Sequence, residues 1–148
     1  MQSSGFPSDT HELRLLLCDD SPVERLALAH CLRSSGYAVD EAGDGQSALH
    51  HLKNRKVDLV LLDLQMPDVD GFDVLNYLQE HRKALPVILL SGMPLDQIQH
   101  KMGSLKTSEL PPLFLKPVDV DQLLQVMELQ LAGELPDARD DQNTIEAS

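Results

Sequence analysis

Residues 57–71, which read VDLVLLDLQMPDVDG, constrain the fold more than any other part of the chain. The segment begins with a nearly continuous apolar run over 57–62, which is typical of a strand buried on both faces of a parallel sheet. The strand ends in a carboxylate, Asp63, where we expect the chain to emerge into solvent. A cluster of turn-forming residues then stops the strand and begins a helix near Gly71. A lone Asp in this position is usually a solvated strand end, so its role depends on the rest of the chain.

Short apolar strands and amphipathic helices alternate along the sequence. The predicted strands cover residues 13–18, 37–40, 57–62, 86–90 and 113–115. Helical periodicity predicts helices over 21–35, after the turn at 43–45, over 71–81, from 94 onward and over 120–131. This alternation predicts an α/β fold in which five helices cover both faces of a five-stranded parallel sheet. With right-handed crossovers, the chain length favours the doubly wound strand order 2-1-3-4-5, in which strands one and three are neighbours.

Capping residues mark the ends of several predicted helices. Ser21 is the expected N-cap of the first helix, and Glu24, three residues later, completes a capping box. Gly36 is expected to end the same helix. Either Asp119 or Asp121 can cap the last helix. These signals place the helix ends independently of the apolar pattern.

The composition excludes several classes of function. The formal net charge of -12 argues against direct binding of nucleic acid, because phosphate contacts need clustered Lys and Arg. The first residues lack the basic and apolar regions of a signal peptide, and every apolar run is far shorter than the ~18 residues of a membrane span. We therefore expect a cytoplasmic protein that binds neither nucleic acid nor membrane. Cys18 and Cys31 lack a metal-binding spacing and are predicted to be buried free thiols.

Polar side chains follow four of the predicted strands. The first strand ends in Asp19 and Asp20, the third in Asp63, the fourth in Ser91 and the fifth in Lys116. Ligands bind at the carboxyl ends of strands in sheets of this type. Three carboxylates brought together there repel one another unless a cation lies among them, which predicts a hard divalent ion such as Mg²⁺. With the metal, a hydroxyl and an ammonium group would complete a receptor for a phosphoryl group.

With these motifs, residues 12–132 resemble the receiver domain of two-component response regulators. The motifs are the Asp19-Asp20 pair, the run from Asp63 to Pro67 with Gly71, the Leu90-Ser91-Gly92 strand end, and Lys116-Pro117. Each motif alone is weakly specific, but four of them in this order, each at a strand end, are strongly specific. The resemblance implies the flavodoxin-like fold and a phosphorelay partner, either a sensor histidine kinase or a histidine phosphotransfer protein.

The resemblance also implies a role for each site residue. Asp63 would be the nucleophile that takes a phosphoryl group from phosphohistidine. Asp20 would ligate Mg²⁺ directly and Asp19 mainly through water, with Asp63 and the backbone carbonyl of Gln65 as further ligands.

The hydroxyl and the ammonium group are expected to act on the phosphoryl group itself. Ser91 would hydrogen-bond its oxygens, and Lys116 would pair with them. The family implies a cis peptide bond between Lys116 and Pro117. Receivers usually carry an aromatic residue three positions before the lysine, where this chain has Leu113. The following Phe114 is expected to point to the other face of the sheet.

Several readings of the function remain open from the sequence. The leading one is a single-domain receiver that changes its affinity for an unknown protein target and has no enzymatic activity beyond its own phosphorylation and dephosphorylation. It would have a disordered tail over 1–11 and an acidic flexible tail over 133–148. The alternatives are a receiver fragment of a larger regulator or hybrid kinase, a degenerate docking module, and a small Mg²⁺-dependent aspartyl-phosphate hydrolase. A hydrolase would need an acid or base two residues after Asp63, where this chain has Gln65.

Overall fold

The computed structural model describes residues 12–66, 71–102 and 111–133, and within them five strands alternate with five helices. In chain order these elements are β1 (Arg14–Cys18), α1 (Pro22–Ser34), β2 (Ala38–Ala42), α2 (Gly45–Asn54), β3 (Leu59–Asp63), α3 (Gly71–His81), β4 (Val87–Ser91), α4 (Leu95–Met102), β5 (Leu113–Leu115) and α5 (Val120–Leu131). The alternation predicted from the apolar pattern is confirmed, and most element boundaries agree with it to within one or two residues.

The strands form one parallel sheet in the order β2-β1-β3-β4-β5. This order confirms the doubly wound arrangement predicted from the sequence. β1 and β3 are neighbours, with Cys18 paired with Leu62. Further along the sheet, Asp63 pairs with Leu90 on β4. The carboxyl ends of the central strands therefore finish at nearly the same level.

The central strands are apolar on both faces because each face is covered by helices. Along β1, Leu15 and Leu17 point towards α1 and α5, whereas Leu16 and Cys18 point towards α2, α3 and α4. All four side chains are fully buried. Burying a leucine side chain stabilises a fold by roughly 1.5–3 kcal/mol, so an aliphatic sheet of this kind holds the domain together without a large aromatic core.

The predicted capping residues are found at the helix ends, with one correction. The Ser21 side chain accepts a hydrogen bond from the Glu24 backbone N–H at 3.5 Å, and Asp119 caps α5 in the same way. Gly36 follows α1 with φ of 103°, which favours glycine. The reciprocal half of the capping box was predicted wrongly. The backbone N–H of Ser21 donates to Asp19 Oδ1 at 2.9 Å, which leaves the Glu24 carboxylate free to make a different contact.

One of the two cysteines was also predicted wrongly. Cys18 is buried on β1, but Cys31 is exposed on α1. Its neighbour Leu32 and the earlier Ala29 take the buried face of the helix, and successive residues are turned by about 100°, which directs Cys31 to solvent. Both thiols are free.

The predicted tails lie outside the described residues, apart from Gly133, so their boundaries stay predictions. Within the described ranges, none of the helices combines the length and the apolar character needed to span a membrane.

The cis peptide bond between Lys116 and Pro117, which the resemblance to receivers implies, is present in the structure.

The start of α3 packs against the backbone that follows the third strand. A Cβ atom built on Gly71 would lie 2.4 Å from the Asp63 carbonyl oxygen and 2.4 Å from the Cα of Leu64. Real Cβ atoms do not approach backbone this closely, and neither neighbour can rotate away. Glycine at position 71 therefore allows α3 to begin directly beside Asp63.

We predict that Gly71→Ala lowers the free energy of unfolding by about 3 kcal/mol, because the new methyl group forces two backbone segments apart. Urea unfolding measures the loss. The matched control is Gly133→Ala, where a Cβ would meet nothing within 4 Å but φ is 80°, and where we expect a loss of about 1 kcal/mol. Equal losses in the two variants would contradict the proposed close approach.

Candidate functional site

The sheet register brings four distant segments to one edge. Asp19 follows Cys18, and because Cys18 pairs with Leu62, Asp19 lies level with Asp63 on the neighbouring strand. On the other side of β3, Ser91 ends β4, and its carbonyl oxygen accepts a hydrogen bond of 2.8 Å from the backbone N–H of Lys116. The predicted site residues are therefore neighbours because of strand pairing, although they are far apart in the sequence.

Three carboxylates meet at this edge. Oxygen atoms of Asp19, Asp20 and Asp63 all lie within 4.8 Å of one another. Asp20 is exposed, but Asp19 and Asp63 are each only 2% exposed. The expectation that the chain emerges into solvent at Asp63 is therefore wrong. The chain stays buried because the next residue, Leu64, belongs to the apolar core.

The ammonium group of Lys116 lies among these carboxylates. Its Nζ is 2.8 Å from Asp63 Oδ2 and 3.3 Å from Asp19 Oδ2. A third contact, of 2.8 Å, joins it to Oε1 of Glu24 on α1. From the sequence, Glu24 is predicted only to cap the helix, and this contact was not predicted. No local pattern signals it, because the two residues are 92 positions apart in the chain.

Burial and neighbouring charges shift the pKa values of Asp63 and Lys116. Burial raises the pKa of Asp63 from 3.8 to about 6, even though hydrogen bonds from Lys116 and from the Gln65 backbone act in the opposite direction. Burial lowers the pKa of Lys116, but hydrogen bonds to Asp63 and Glu24 outweigh it and raise that pKa overall. Lys116 therefore stays protonated, and the site holds more negative charge than this single cation neutralises.

A polar network fixes the loop that carries the acidic pair. Arg25 Nη1 donates to the backbone carbonyl of Asp19 at 2.7 Å, and Arg25 Nε bonds Glu41 on β2 at 3.1 Å. A Cβ on Gly43 would lie 3.1 Å from the Arg25 guanidinium, so glycine leaves room for this side chain. The backbone N–H of Ser21 holds the Asp19 carboxylate from the other side, at 2.9 Å. Asp19 is thus positioned before any ligand arrives.

The loops after β3 and β4 are joined in a similar way. The Gln65 backbone N–H donates to Asp63 Oδ1 at 2.8 Å, while the Gln65 side-chain oxygen accepts from the Gly92 N–H at 3.2 Å. Ser91 is fully buried, and its Oγ accepts from the Met93 N–H at 2.9 Å. As an acceptor in that bond, the Ser91 hydroxyl keeps its own proton available for donation.

The fifth strand directs its side chains as expected. Leu113 packs against the core beneath α2, α3 and α4, whereas Phe114 is buried on the opposite face beneath α1 and α5. The prediction that Phe114 does not replace the aromatic residue at position 113 is therefore confirmed. An aliphatic side chain occupies the position at which receivers usually carry an aromatic ring.

The donor set suits a hard divalent cation. Asp19, Asp20 and Asp63 offer oxygen ligands within 4.8 Å of one another, and oxygen is the donor that Mg²⁺ prefers. The raised pKa of Asp63 reflects the cost of burying this much negative charge, a cost that a divalent ion would offset. The position of the Gln65 carbonyl relative to the three carboxylates stays a prediction.

A family model and two related proteins give consistent results for this chain. Residues 15–128 match the family of response regulator receiver domains. The chain is 35% identical over 117 residues to the CAI-1 autoinducer sensor kinase/phosphatase CqsS of Vibrio cholerae, covering 77% of this chain and 17% of that protein. It is 31% identical over 117 residues to the probable transcriptional regulatory protein TcrX of Mycobacterium tuberculosis, covering 79% of this chain and 49% of that protein. The chain thus spans less than half the length of both relatives.

A solved structure of a response regulator has a similar fold. The response regulator TrrA of Thermotoga maritima, in complex with Mg(2+)-BeF, superposes with a TM-score of 0.69 at 26% identity. The alignment covers 80% of this chain and 98% of that one. The match extends over nearly the whole of that domain, so the likeness is to a complete receiver fold rather than to a shared fragment.

We predict that Asp63→Asn makes the Mg²⁺-free protein more stable at pH 7, by on the order of 1 kcal/mol. The folded-state pKa of Asp63, about 6, lies above its unfolded value of 3.8, so folding favours the protonated form. The stability from this group is complete below about pH 4 and is lost as pH rises through about 6. The advantage of the variant should therefore be small at pH 4 and grow towards pH 7.

Urea unfolding from pH 4 to pH 7 measures this difference. The control is Asp96→Asn on α4, an exposed carboxylate outside the cluster, which should show no gain in stability over wild type towards pH 7 because no burial cost is removed. An Asp63→Asn variant that is less stable than wild type at every pH would contradict the explanation from burial.

Proposed function

The chain belongs to the response regulator receiver domain family, and on that basis we propose that Asp63 accepts a phosphoryl group from a phosphohistidine. The observation that carries the proposal is the surroundings of this carboxylate. Asp63 is buried beside two further acids, with Lys116 Nζ at 2.8 Å. A receiver domain is a component of two-component signalling, and this arrangement is suited to phosphoryl transfer.

The proposed transfer is an in-line substitution at phosphorus. A carboxylate oxygen of Asp63 attacks the phosphorus atom, the phosphorus–nitrogen bond to the donor imidazole breaks, and that nitrogen keeps the electron pair and takes a proton from solvent. Lys116 then donates to the phosphoryl oxygens, and the Ser91 hydroxyl supplies a further donor. Burial of the site makes each of these hydrogen bonds stronger than it would be in water.

Asp19, Asp20 and Asp63 would hold Mg²⁺, and the backbone carbonyl of Gln65 is a fourth proposed ligand. When bound, the ion neutralises the negative charge on the transferring phosphoryl oxygens. Two observations support this part of the proposal. The three carboxylates already form a cluster of suitable size, and the related TrrA was solved in complex with Mg(2+)-BeF.

The proposed partners are a phosphohistidine donor and a protein target. Receiver domains interact with sensor histidine kinases or phosphotransfer proteins, and one relative reported above is a sensor kinase. Phosphorylation would shift a two-state equilibrium and so change affinity for a downstream protein rather than for nucleic acid. We place the domain in the cytoplasm, and the two free thiols fit a reducing compartment.

Two further questions are whether the chain is part of a larger protein and whether it hydrolyses other phosphate esters. The relatives support the idea that the chain is part of a larger regulator or a hybrid kinase, since it matches only part of each. A phosphohydrolase that turns over other substrates would need an acid or base two positions after Asp63. The residue two positions after Asp63 is Gln65, whose side-chain oxygen is engaged by Gly92 and which has no titratable proton. We propose that the activity is limited to phosphorylation and dephosphorylation of the domain itself.

The exposed face of α1 is the proposed docking surface for the phosphohistidine donor. Val23 is 78% exposed and Leu26 is 58% exposed, and residues three apart lie on the same side of a helix. Glu24, in the same first turn, contacts Lys116, so this apolar surface adjoins the site. A donor that packs on α1 can therefore bring its phosphohistidine to Asp63.

We predict that incubation with Mg²⁺ and acetyl phosphate adds one phosphoryl group to the protein, and that Asp63→Asn prevents it because the nucleophilic oxygen is lost. Intact-protein mass spectrometry measures the product. The control variant is Asp96→Asn, which should be phosphorylated like wild type, and omission of Mg²⁺ should slow the reaction strongly. The same modification on Asp63→Asn protein would refute the assigned site.

We also predict that Leu26→Ser slows phosphoryl transfer from a phosphorylated histidine phosphotransfer domain by about fivefold or more. The reason is the loss of an apolar contact that the complex with the donor would bury. The rate with acetyl phosphate should not change, since a small donor does not need α1. Leu129→Ser, at an exposed leucine on α5, should leave both rates unaltered. Equal slowing with both donors would mean that the substitution damages the site rather than docking.

A further inference from the structure

Lys116 uses all of its hydrogen-bonding capacity in this structure. An ammonium group has three N–H donors. Here the three acceptors are Oδ2 of Asp63 at 2.8 Å, Oε1 of Glu24 at 2.8 Å and Oδ2 of Asp19 at 3.3 Å. A phosphoryl group that arrives at Asp63 brings further oxygens that need donors. One of the existing contacts must therefore yield.

The three acceptors differ in what it costs to release them. The side chains of Asp19 and Asp63 are 2% exposed, whereas the Glu24 side chain is 57% exposed. A buried carboxylate that loses its partner keeps the full penalty of desolvation, but an exposed one is hydrated by solvent. Glu24 is consequently the partner that Lys116 gives up at the lowest cost.

Helix capping does not account for the position of the Glu24 side chain. An acidic residue in the first turn interacts favourably with the helix dipole wherever its carboxylate points. In a complete capping box the carboxylate would accept from the Ser21 N–H, yet that N–H is bonded to Asp19 and Glu24 bonds Lys116 instead. The side chain spans from α1 to the loop after β5.

We infer that Glu24 is a positioning residue that holds Lys116 towards α1 in the unphosphorylated domain and slows acceptance of a phosphoryl group. The inference rests on the proposed function of Asp63. An incoming phosphoryl group competes with Glu24 for one ammonium N–H and also meets its negative charge at the entrance to the site. Without Glu24, one N–H of Lys116 is available before the donor arrives.

The first test measures phosphorylation by acetyl phosphate at saturating Mg²⁺. Glu24→Gln should raise the rate constant by about two- to fivefold, the range expected for a partly exposed ion pair. Glu24→Asp should raise it less than Glu24→Gln, because the shorter side chain weakens the contact with Lys116 but keeps the negative charge. The matched control is Asp121→Asn, at another exposed first-turn carboxylate for which the described part of the chain records no ion pair, and it should match wild type.

The second test does not depend on phosphorylation. In Mg²⁺-free protein, the ¹⁵N-labelled ammonium group of Lys116 should exchange its protons slowly, because three carboxylates hold it. Exchange should become at least twofold faster in Glu24→Gln and should be unchanged in Asp121→Asn. The signal is assigned by its loss in Lys116→Met.

The outcomes separate this inference from the proposed function. Wild-type protein that takes no phosphate at Asp63 would refute the function, whereas normal phosphorylation with equal rates in wild type and Glu24→Gln would refute only the inference. A rate increase in Asp121→Asn as large as that in Glu24→Gln would also overturn it, because bulk charge would then explain both. Unchanged proton exchange at Lys116 in Glu24→Gln would overturn it as well.

Discussion

The structure depends most on the burial of two carboxylates that the sheet register brings together. Asp19 and Asp63 are level on adjacent strands and almost fully buried, so neither can move away or be hydrated. The Lys116 ammonium group lies between them and offsets part of the cost. Burial still raises the pKa of Asp63 to about 6, because the hydrogen bonds from Lys116 and Gln65 do not fully replace the lost hydration. Three carboxylates within 4.8 Å of one another suit a divalent cation, which we propose assists phosphoryl transfer here.

The surrounding polar contacts restrict how the two buried carboxylates can move. Arg25 and the Ser21 N–H hold Asp19, while the Gln65 N–H holds Asp63. With both carboxylates fixed, the half-buried Lys116 side chain is the charged group whose contacts can change. Its contact with Glu24 is the one that we propose yields to a phosphoryl oxygen, because Glu24 is the solvated partner. The same helix, α1, presents apolar side chains to solvent, so the proposed donor surface and the Glu24 contact lie on one element.

Much of this arrangement could be predicted from the sequence because it depends on short-range patterns. Apolar runs of strand length, helical periodicity and capping residues gave the element order, and the polar residue after each strand gave the site. The errors came from contacts between distant segments. Glu24 has a complete local explanation as a capping residue, and only the packing of α1 beside the loop after β5 brings its carboxylate to Lys116. Similarly, burial of Asp63 depends on what covers the strand end, which the strand itself does not encode.

By itself, the sequence determined the fold class, the strand order and the strand-end residues that meet at the carboxyl edge, because parallel strands place their ends together wherever the pattern repeats. The tertiary structure alone decided how those residues interact: which carboxylates are buried, which atoms share the single ammonium group, and which helix face remains exposed. The physical reason is distance. Local patterning acts over a few residues, whereas burial and electrostatic pairing depend on atoms only a few ångströms apart that can be 92 positions apart in the chain.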